Sequence, residues 1–205
     1  AIVNQLILLF AKTAIIGKVK TRLASSVGTK MALWVYERLL AKTILVLNNI
    51  PYDIAVFYDP EVPATLFALE NAKFHFSQQG SDLGERMNKA FQWGFDMGYK
   101  KICVIGTDLW EINSELIIKA FDELYNNDFV LGPASDGGYY LLGMTKPFPK
   151  LFLNMPWSSN TLLNQSKAIL SEEKVSLLVE KNDIDTLDDL EANPALYKEY
   201  LMYFK

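Results

Sequence analysis

The sequence predicts an α/β domain built on a mainly parallel sheet, and three observations carry that expectation. Apolar strand-like runs alternate with helical patterns along the chain. No Gly/Ser-rich linker, low-complexity segment or internal repeat divides the 205 residues, so one domain over 1–205 is expected. Half of the residues are hydrophobic and 21% are charged, which suits a packed core and excludes a disordered chain.

The first strand reads at 6–10, a continuous apolar run. It ends in a loop that sets Lys12, Lys18, Lys20 and Arg22 around Gly17 with no acid among them. A helix follows at 30–47, where Leu33, Tyr36, Leu40, Ile44 and Leu47 recur at helical spacing. Strands are expected at 53–58 and 73–77, then a helix at 83–97. Asp82 reads as the N-cap of that helix, with Glu85 three residues on in a capping-box-like arrangement. Arg86 is placed either to pair with Asp82 or to reach a ligand. A strand at 101–105 precedes a helix at 114–125, capped by Asn113 and turning Ile117, Ile118 and Phe121 to the core. Strands at 128–131 and 139–143 flank Gly137-Gly138 with no room for a helix between them. They must run antiparallel or bend at the turn, a departure from a plain doubly wound sheet. A last strand is expected at 175–178.

Several classes are excluded. No apolar stretch reaches membrane-spanning length without a charge, and 6–11 is too short for a signal-peptide core. The lone Cys103 has no partner for an internal disulfide and reads as a small core hydrophobe, so a soluble, cytoplasmic setting is expected. The first fifty residues carry seven Lys or Arg against the single acid Glu37, while the whole chain has a net charge of −4. That asymmetry argues against a nucleic-acid binder with a broad basic face. It suits a site where a basic segment meets phosphates and acidic loops meet a metal.

Ligands of open α/β sheets bind outside the carboxyl ends of the strands, and three polar loops fall there. The first is the basic loop, where backbone N–H groups, a helix start and cations together suit a phosphate. The second is Gly106-Thr107-Asp108, whose carboxylate is placed to hold Mg2+ or Mn2+, or else to cap the following turn. The third runs from Leu131 to Gly138; its glycines allow close approach to a ligand, and Asp136 is a second candidate ligand or base. Asp183, Asp185, Asp188 and Asp189 form an acidic cluster that reads as a metal site or as a helix start capped by Asp185. His75 has no second histidine and reads as a strand residue. Tyr139 and Tyr140 should point to opposite faces, so that at most one lines a site. The run Tyr197, Tyr200, Leu201, Tyr203 and Phe204 reads as a docking surface or homodimer contact.

The same motifs occur in a fixed order. They are Phe10-Ala11-Lys12 with Gly17-Lys18-Val19-Lys20-Thr21-Arg22-Leu23, then Gln79-Gly80-x-Asp82-Leu83-Gly84-x-Arg86-Met87, then Gly106-x-Asp108. Leu131-Gly132-Pro133-Ala134-x-Asp136-Gly137-Gly138-Tyr139-Tyr140 and Trp157-Ser158-Ser159 follow. Together they resemble the GT-A-type transferase family known as DUF2064, described as glycosyltransferase-like and linked to arsenosugar biosynthesis. Asp183-Ile184-Asp185-Thr186 resembles the Asp-x-Asp-Thr segment of sugar-nucleotide and cofactor nucleotidyltransferases.

The resemblance implies a Rossmann-like GT-A fold, a mostly parallel mixed sheet flanked by helices. It implies that Phe10, Ala11, Lys12, Gly17, Lys20, Arg22, Asp82 and Arg86 bind the nucleotide and its phosphates. Asp108 would hold Mg2+ or Mn2+ and, with Asp136, act in catalysis, while Gly137, Gly138, Tyr139 and Trp157 would face the acceptor. A metal-dependent glycosyltransferase using a nucleotide-diphospho-sugar and a small-molecule acceptor is the leading expectation. Lys20-Thr21-Arg22-Leu23 also resembles the Lys-Ser-Arg-Leu element of phospholactate guanylyltransferases, which keeps open a nucleotidyltransferase that takes an NTP and releases pyrophosphate. Ala14 stands where the family usually has Pro, and Trp110 replaces another Pro. The first loosens the loop, and the second is expected to set a bulky ring beside Asp108. Those departures motivate a third reading, a nucleotide-binding module without turnover.

Overall fold

The computed structural model describes residues 4–205. Its strands are β1 (Gln5–Lys12), β2 (Asp53–Asp59), β3 (Ala72–Ser77), β4 (Lys101–Ile105), β5 (Phe129–Pro133), β6 (Tyr139–Met144) and β7 (Val175–Leu177). They form one sheet in the order β3-β2-β1-β4-β6-β5-β7. All neighbours are parallel except β6, which runs antiparallel to both β4 and β5. The Gly137-Gly138 turn therefore closes a β5–β6 hairpin, as its length requires. The helices are α1 (Thr21–Val27), α2 (Thr29–Leu47), α3 (Leu83–Asp96), α4 (Ser114–Glu123), α5 (Leu162–Ile169), α6 (Leu187–Glu191) and α7 (Pro194–Phe204).

Alternation along the central strands divides the core into two layers. Ile7, Leu9, Val56, Tyr58, Cys103 and Ile105 face one side, against Leu47 of α2 and Leu116, Ile117 and Phe121 of α4. Leu6, Leu8, Ala55, Phe57, Ile102 and Val104 face the other, against Met87, Ala90 and Phe91 of α3. Because both faces are covered, the strands read as unbroken apolar runs rather than as alternating ones. Ile118 departs from its expected place: it is 37% exposed on the outer side of α4. Cys103 is buried as a small hydrophobe. His75 accepts or donates one hydrogen bond with the Tyr58 hydroxyl at 2.9 Å.

The C-terminal aromatic run docks within the chain. Trp34 of α2 stacks on Tyr203 at 5.2 Å between ring centroids and meets Phe204 edge-on at 5.7 Å. Asn113 and Asp82 cap their helices as read, accepting from Leu116 N and Glu85 N at 2.8 and 2.7 Å. Glu85 does not close the box on Asp82; its carboxylate takes the N–H and hydroxyl of Ser81 instead. At α6 the cap is Thr186 in a full capping box with Asp189, not Asp185. A hydroxyl there bonds the N3 amide while Asp189 reaches back, and Asp185 is left facing Arg22. Among the described residues no helix is long and apolar enough to cross a membrane.

Candidate functional site

Strand order reverses at β1, whose neighbours β2 and β4 lead to opposite edges of the sheet. A crevice opens at the carboxyl ends of such strands. Here it is a cavity of about 500 Å³ walled by residues from across the chain, from Phe10 to Asp185. Register sets its floor: Lys12 of β1 pairs with Asp59 of β2, and Leu9 with Ile105, so Gly106–Asp108 leaves the sheet level with Phe10.

Phe10, Ala11, Lys12, Lys20, Asp82, Arg86, Asp108, Tyr139 and Trp157 all line this cavity. Gly17, Arg22, Asp136, Gly137 and Gly138 stand outside its wall. Gly17 makes a left-handed turn at φ 77 before Lys18, and Asp136 accepts from Gly138 N at 2.9 Å within the hairpin turn. Gly137 permits that turn to seat, since a Cβ there would lie 2.1 Å from Asn160 O. Tyr139 and Tyr140 take opposite faces of the sheet as expected, one in each layer of the core, yet both line the cavity, because β6 begins at its rim. Tyr140 Oη donates to Val179 O at 2.7 Å, and burial pushes its pKa up to about 12.

Arg86 does not pair with Asp82. Its guanidinium instead spans Asp59 Oδ1 at 3.4 Å, Gln78 Oε1 at 3.2 Å and Gly80 O at 3.1 Å. Trp110 also turns out differently from expectation. Its ring lies under Lys42 and Arg38, 5.0 and 5.8 Å from the centroid, and packs on the α1–α2–α6–α7 core rather than into the cavity. Trp157 is positioned by a glycine: a Cβ on Gly84 would lie 2.4 Å from its Cζ2 atom. Trp157 Nε1 and Tyr139 Oη are buried without a hydrogen-bond partner, the only such side-chain atoms among the described residues.

The charged end of the cavity is organised by pairing. Lys20 Nζ lies 2.5 Å from Asp108 Oδ1 and 2.5 Å from Ile184 O, and Arg22 Nη1 lies 3.0 Å from Asp185 Oδ2. Ile184 N donates to Asp108 O at 2.8 Å, so the Asp183–Asp185 segment is tied to the end of β4. The basic and acidic walls are thus joined to each other rather than standing apart. Asp183 is the residue that sequence reasoning underweighted. Burial, then the charges of Asp108 and Asp136, raise its pKa to about 7, with Lys20 opposing. The Asp-x-Asp-Thr motif is the signal for it, and Asp59 has the simpler signal of a carboxylate closing an apolar strand. Tyr36 completes the basic loop's support: its hydroxyl donates to Lys12 O, and burial raises its pKa.

Among the described residues no group of three or more His, Cys, Asp or Glu is arranged to enclose a metal. Asp108 and Asp183 both line the cavity, and the charge of Asp108 is felt at Asp183. The Lys20 ammonium already stands in as a cation beside Asp108.

A reversed β6 beside β4, with a charged cleft at the switch point, defines a Rossmann-like α/β fold of the nucleotidyltransferase and GT-A type. The chain belongs to the DUF2064 family, uncharacterized proteins conserved in bacteria, whose model matches residues 43–159. A proposed nucleotide-diphospho-sugar transferase of Desulfovibrio desulfuricans G20 is 30% identical, aligns over 97% of this chain and 99% of its own, and gives a TM-score of 0.82. A cytidylyltransferase of Leptospira borgpetersenii serovar Hardjo-bovis shares the fold at 16% identity and a TM-score of 0.59, over 99% of this chain and 88% of its own. Rv0371C of Mycobacterium tuberculosis H37Rv, solved with manganese, does so at 12% and 0.54, over 92% and 97%. No curated protein matches. The family and fold that the motifs resemble are therefore borne out.

Proposed function

We propose that the protein is a divalent-metal-dependent transferase that moves a sugar from a nucleotide-diphospho-sugar to a small-molecule acceptor. The observation that carries this reading is one cleft holding Lys12 and Lys20 beside Asp108 and Asp183 at the carboxyl ends of the strands. The 30% identity to the D. desulfuricans protein over nearly the full chain supports the donor class. In this reading Lys12, Lys20 and Arg22 bind and orient the diphosphate, and Asp82 and Arg86 bound the nucleotide end. Asp108 and Asp183 would hold Mg2+ or Mn2+, which as a Lewis acid neutralises charge on the leaving diphosphate. Tyr139 and Trp157, which line the cavity, position the acceptor next to the donor sugar. The acceptor hydroxyl proton passes to water as the new C–O bond forms, the anomeric C–O bond breaks and nucleoside diphosphate leaves; Asp136, outside the cavity wall, acts through its charge on Asp183.

A second reading is favoured by the cytidylyltransferase fold and by Lys20-Thr21-Arg22-Leu23: transfer of a nucleotidyl group from an NTP, with release of pyrophosphate. A thermal-shift panel of NTPs and nucleotide sugars with Mg2+ or Mn2+ tests binding, since a ligand of the folded state raises the melting temperature. Product analysis then separates the readings: nucleoside diphosphate supports the first, pyrophosphate the second. Stabilisation by neither ligand class overturns both.

A further inference from the structure

The first cation that the acidic end of the cavity meets is the protein's own. Lys20 precedes α1 in the left-handed region, at φ 49 and ψ 47, and is only 8% exposed. Neither property is ordinary for lysine, which rarely adopts that backbone and rarely buries its ammonium unless it is paired. The pairing is present on two sides, at Asp108 Oδ1 and Ile184 O. Asp183 and Asp185 flank Ile184, and Arg22 closes on Asp185.

We propose that the Lys20 ammonium is the built-in occupant of the cation position, exchanged during ligand binding for a divalent ion at Asp108 and Asp183. This rests on the metal–nucleotide reading above and names the form in which the ligand enters, a divalent cation–polyphosphate unit. A bare cation that takes Asp108 leaves a buried ammonium with a single carbonyl for company. A bare polyphosphate drawn to Lys20 meets the uncompensated carboxylates of Asp108 and Asp183. The combined unit replaces each contact with one of the same sign: the ion goes to the carboxylates and the phosphate to Lys20 and Arg22. Cation and polyphosphate consequently bind with positive coupling, and each raises the affinity for the other by the same factor.

Isothermal titration calorimetry of the full chain with Mn2+, inorganic pyrophosphate or both tests this without any nucleotide. In the wild type, Mn2+ alone binds weakly, and saturating pyrophosphate tightens it at least tenfold. Lys20→Met keeps the length of the side chain and removes its charge; Mn2+ alone should then bind at least tenfold tighter than to wild type, with the pyrophosphate enhancement reduced. Lys20→Arg keeps the charge and should keep the weak binding. Equal Mn2+ affinity in wild type and Lys20→Met, or no measurable binding to either, overturns the proposal. If Lys20→Met does not fold, independent binding of Mn2+ and pyrophosphate to the wild type overturns it equally. A protein that passes the Mn2+ comparison but binds no NTP or nucleotide sugar refutes the transferase reading and leaves the exchange standing.

Discussion

Asp53 and Asp183 stand at opposite ends of the strands, the first at the start of β2 and the second in the loop between β7 and α6, and they are treated in opposite ways. Asp53 begins β2 at the amino end, 7% exposed, and receives the Tyr99 hydroxyl at 2.6 Å and Lys73 Nζ at 2.9 Å. Asp183 lies at the carboxyl end among other acids, and no hydrogen bond or ion pair compensates its carboxylate among the described residues. The first carboxylate has the partners that make a buried charge structural. The second is held where its charge is disfavoured, the condition in which a ligand supplies what the fold withholds. A half-buried acid therefore points to function when its neighbours repel it.

The largest test of this contrast is the pH dependence of stability. The Asp183 carboxyl is raised from an ordinary 3.8 to about 7. Between about pH 4 and 7 the unfolded chain has lost a proton that the folded chain keeps, so stability falls as pH rises through that window. Asp183→Asn removes the penalty and should stabilise the protein above pH 7 by up to about 4 kcal/mol, with little effect below pH 4. Melting temperatures of both proteins from pH 4 to 8 check this; parallel curves would place Asp183 in an ordinary environment. Next in size, Asp108→Asn should remove the Mn2+-dependent part of nucleotide affinity, about 100-fold or ~3 kcal/mol. Titrations with and without Mn2+ measure it, and an unchanged metal-dependent component moves the cation elsewhere.

Asp53→Ala should do the reverse of Asp183→Asn: urea unfolding should show a loss of about 1–3 kcal/mol, because the Tyr99 hydroxyl loses its acceptor. Ligand affinity should not change. Arg22→Ala is the smallest of the set. Its ion pair with Asp185 is largely exposed, so stability should move by less than about 1 kcal/mol. Diphosphate affinity should still fall more than nucleoside affinity; an equal loss would take Arg22 away from the phosphates.

The backbone was largely legible in the sequence because covered parallel strands are written as continuous apolar runs. The strand at 101–105 has the bounds read for it, and the Gly137-Gly138 turn gave the reversal of β6. Caps were legible where one side chain and one nearby amide decide the matter, as at Asp82 and Asn113. At α6 two candidates, Asp185 and Thr186, were adjacent, and the reciprocal bond from Asp189 settled it in favour of Thr186. Partner choice over long distances was not legible. Lys20 read as a free cation for phosphate, yet its contacts lie 88 and 164 positions away. Trp110 read as an intruder at the site because only its neighbour in sequence, Asp108, was visible; its ring is placed by Lys42 and Arg38 of a distant helix. Spacing encodes which face a residue takes, but charge pairing depends on which remote segments the fold brings together.

The Lys20–Ile184 clasp also has a consequence in time. Synthesis delivers the basic segment first and the groups that answer it later, Asp108 after 88 positions and the Ile184 carbonyl after 164. Until Asp108 is made, about halfway along the chain, Lys12, Lys18, Lys20 and Arg22 form a cationic stretch that lacks its carboxylate partners. The acidic end of the cleft, at Asp183 and Asp185, is among the last parts of the molecule to exist, and a nascent chain that has completed β1 through β6 has most of a sheet before that end of the site closes.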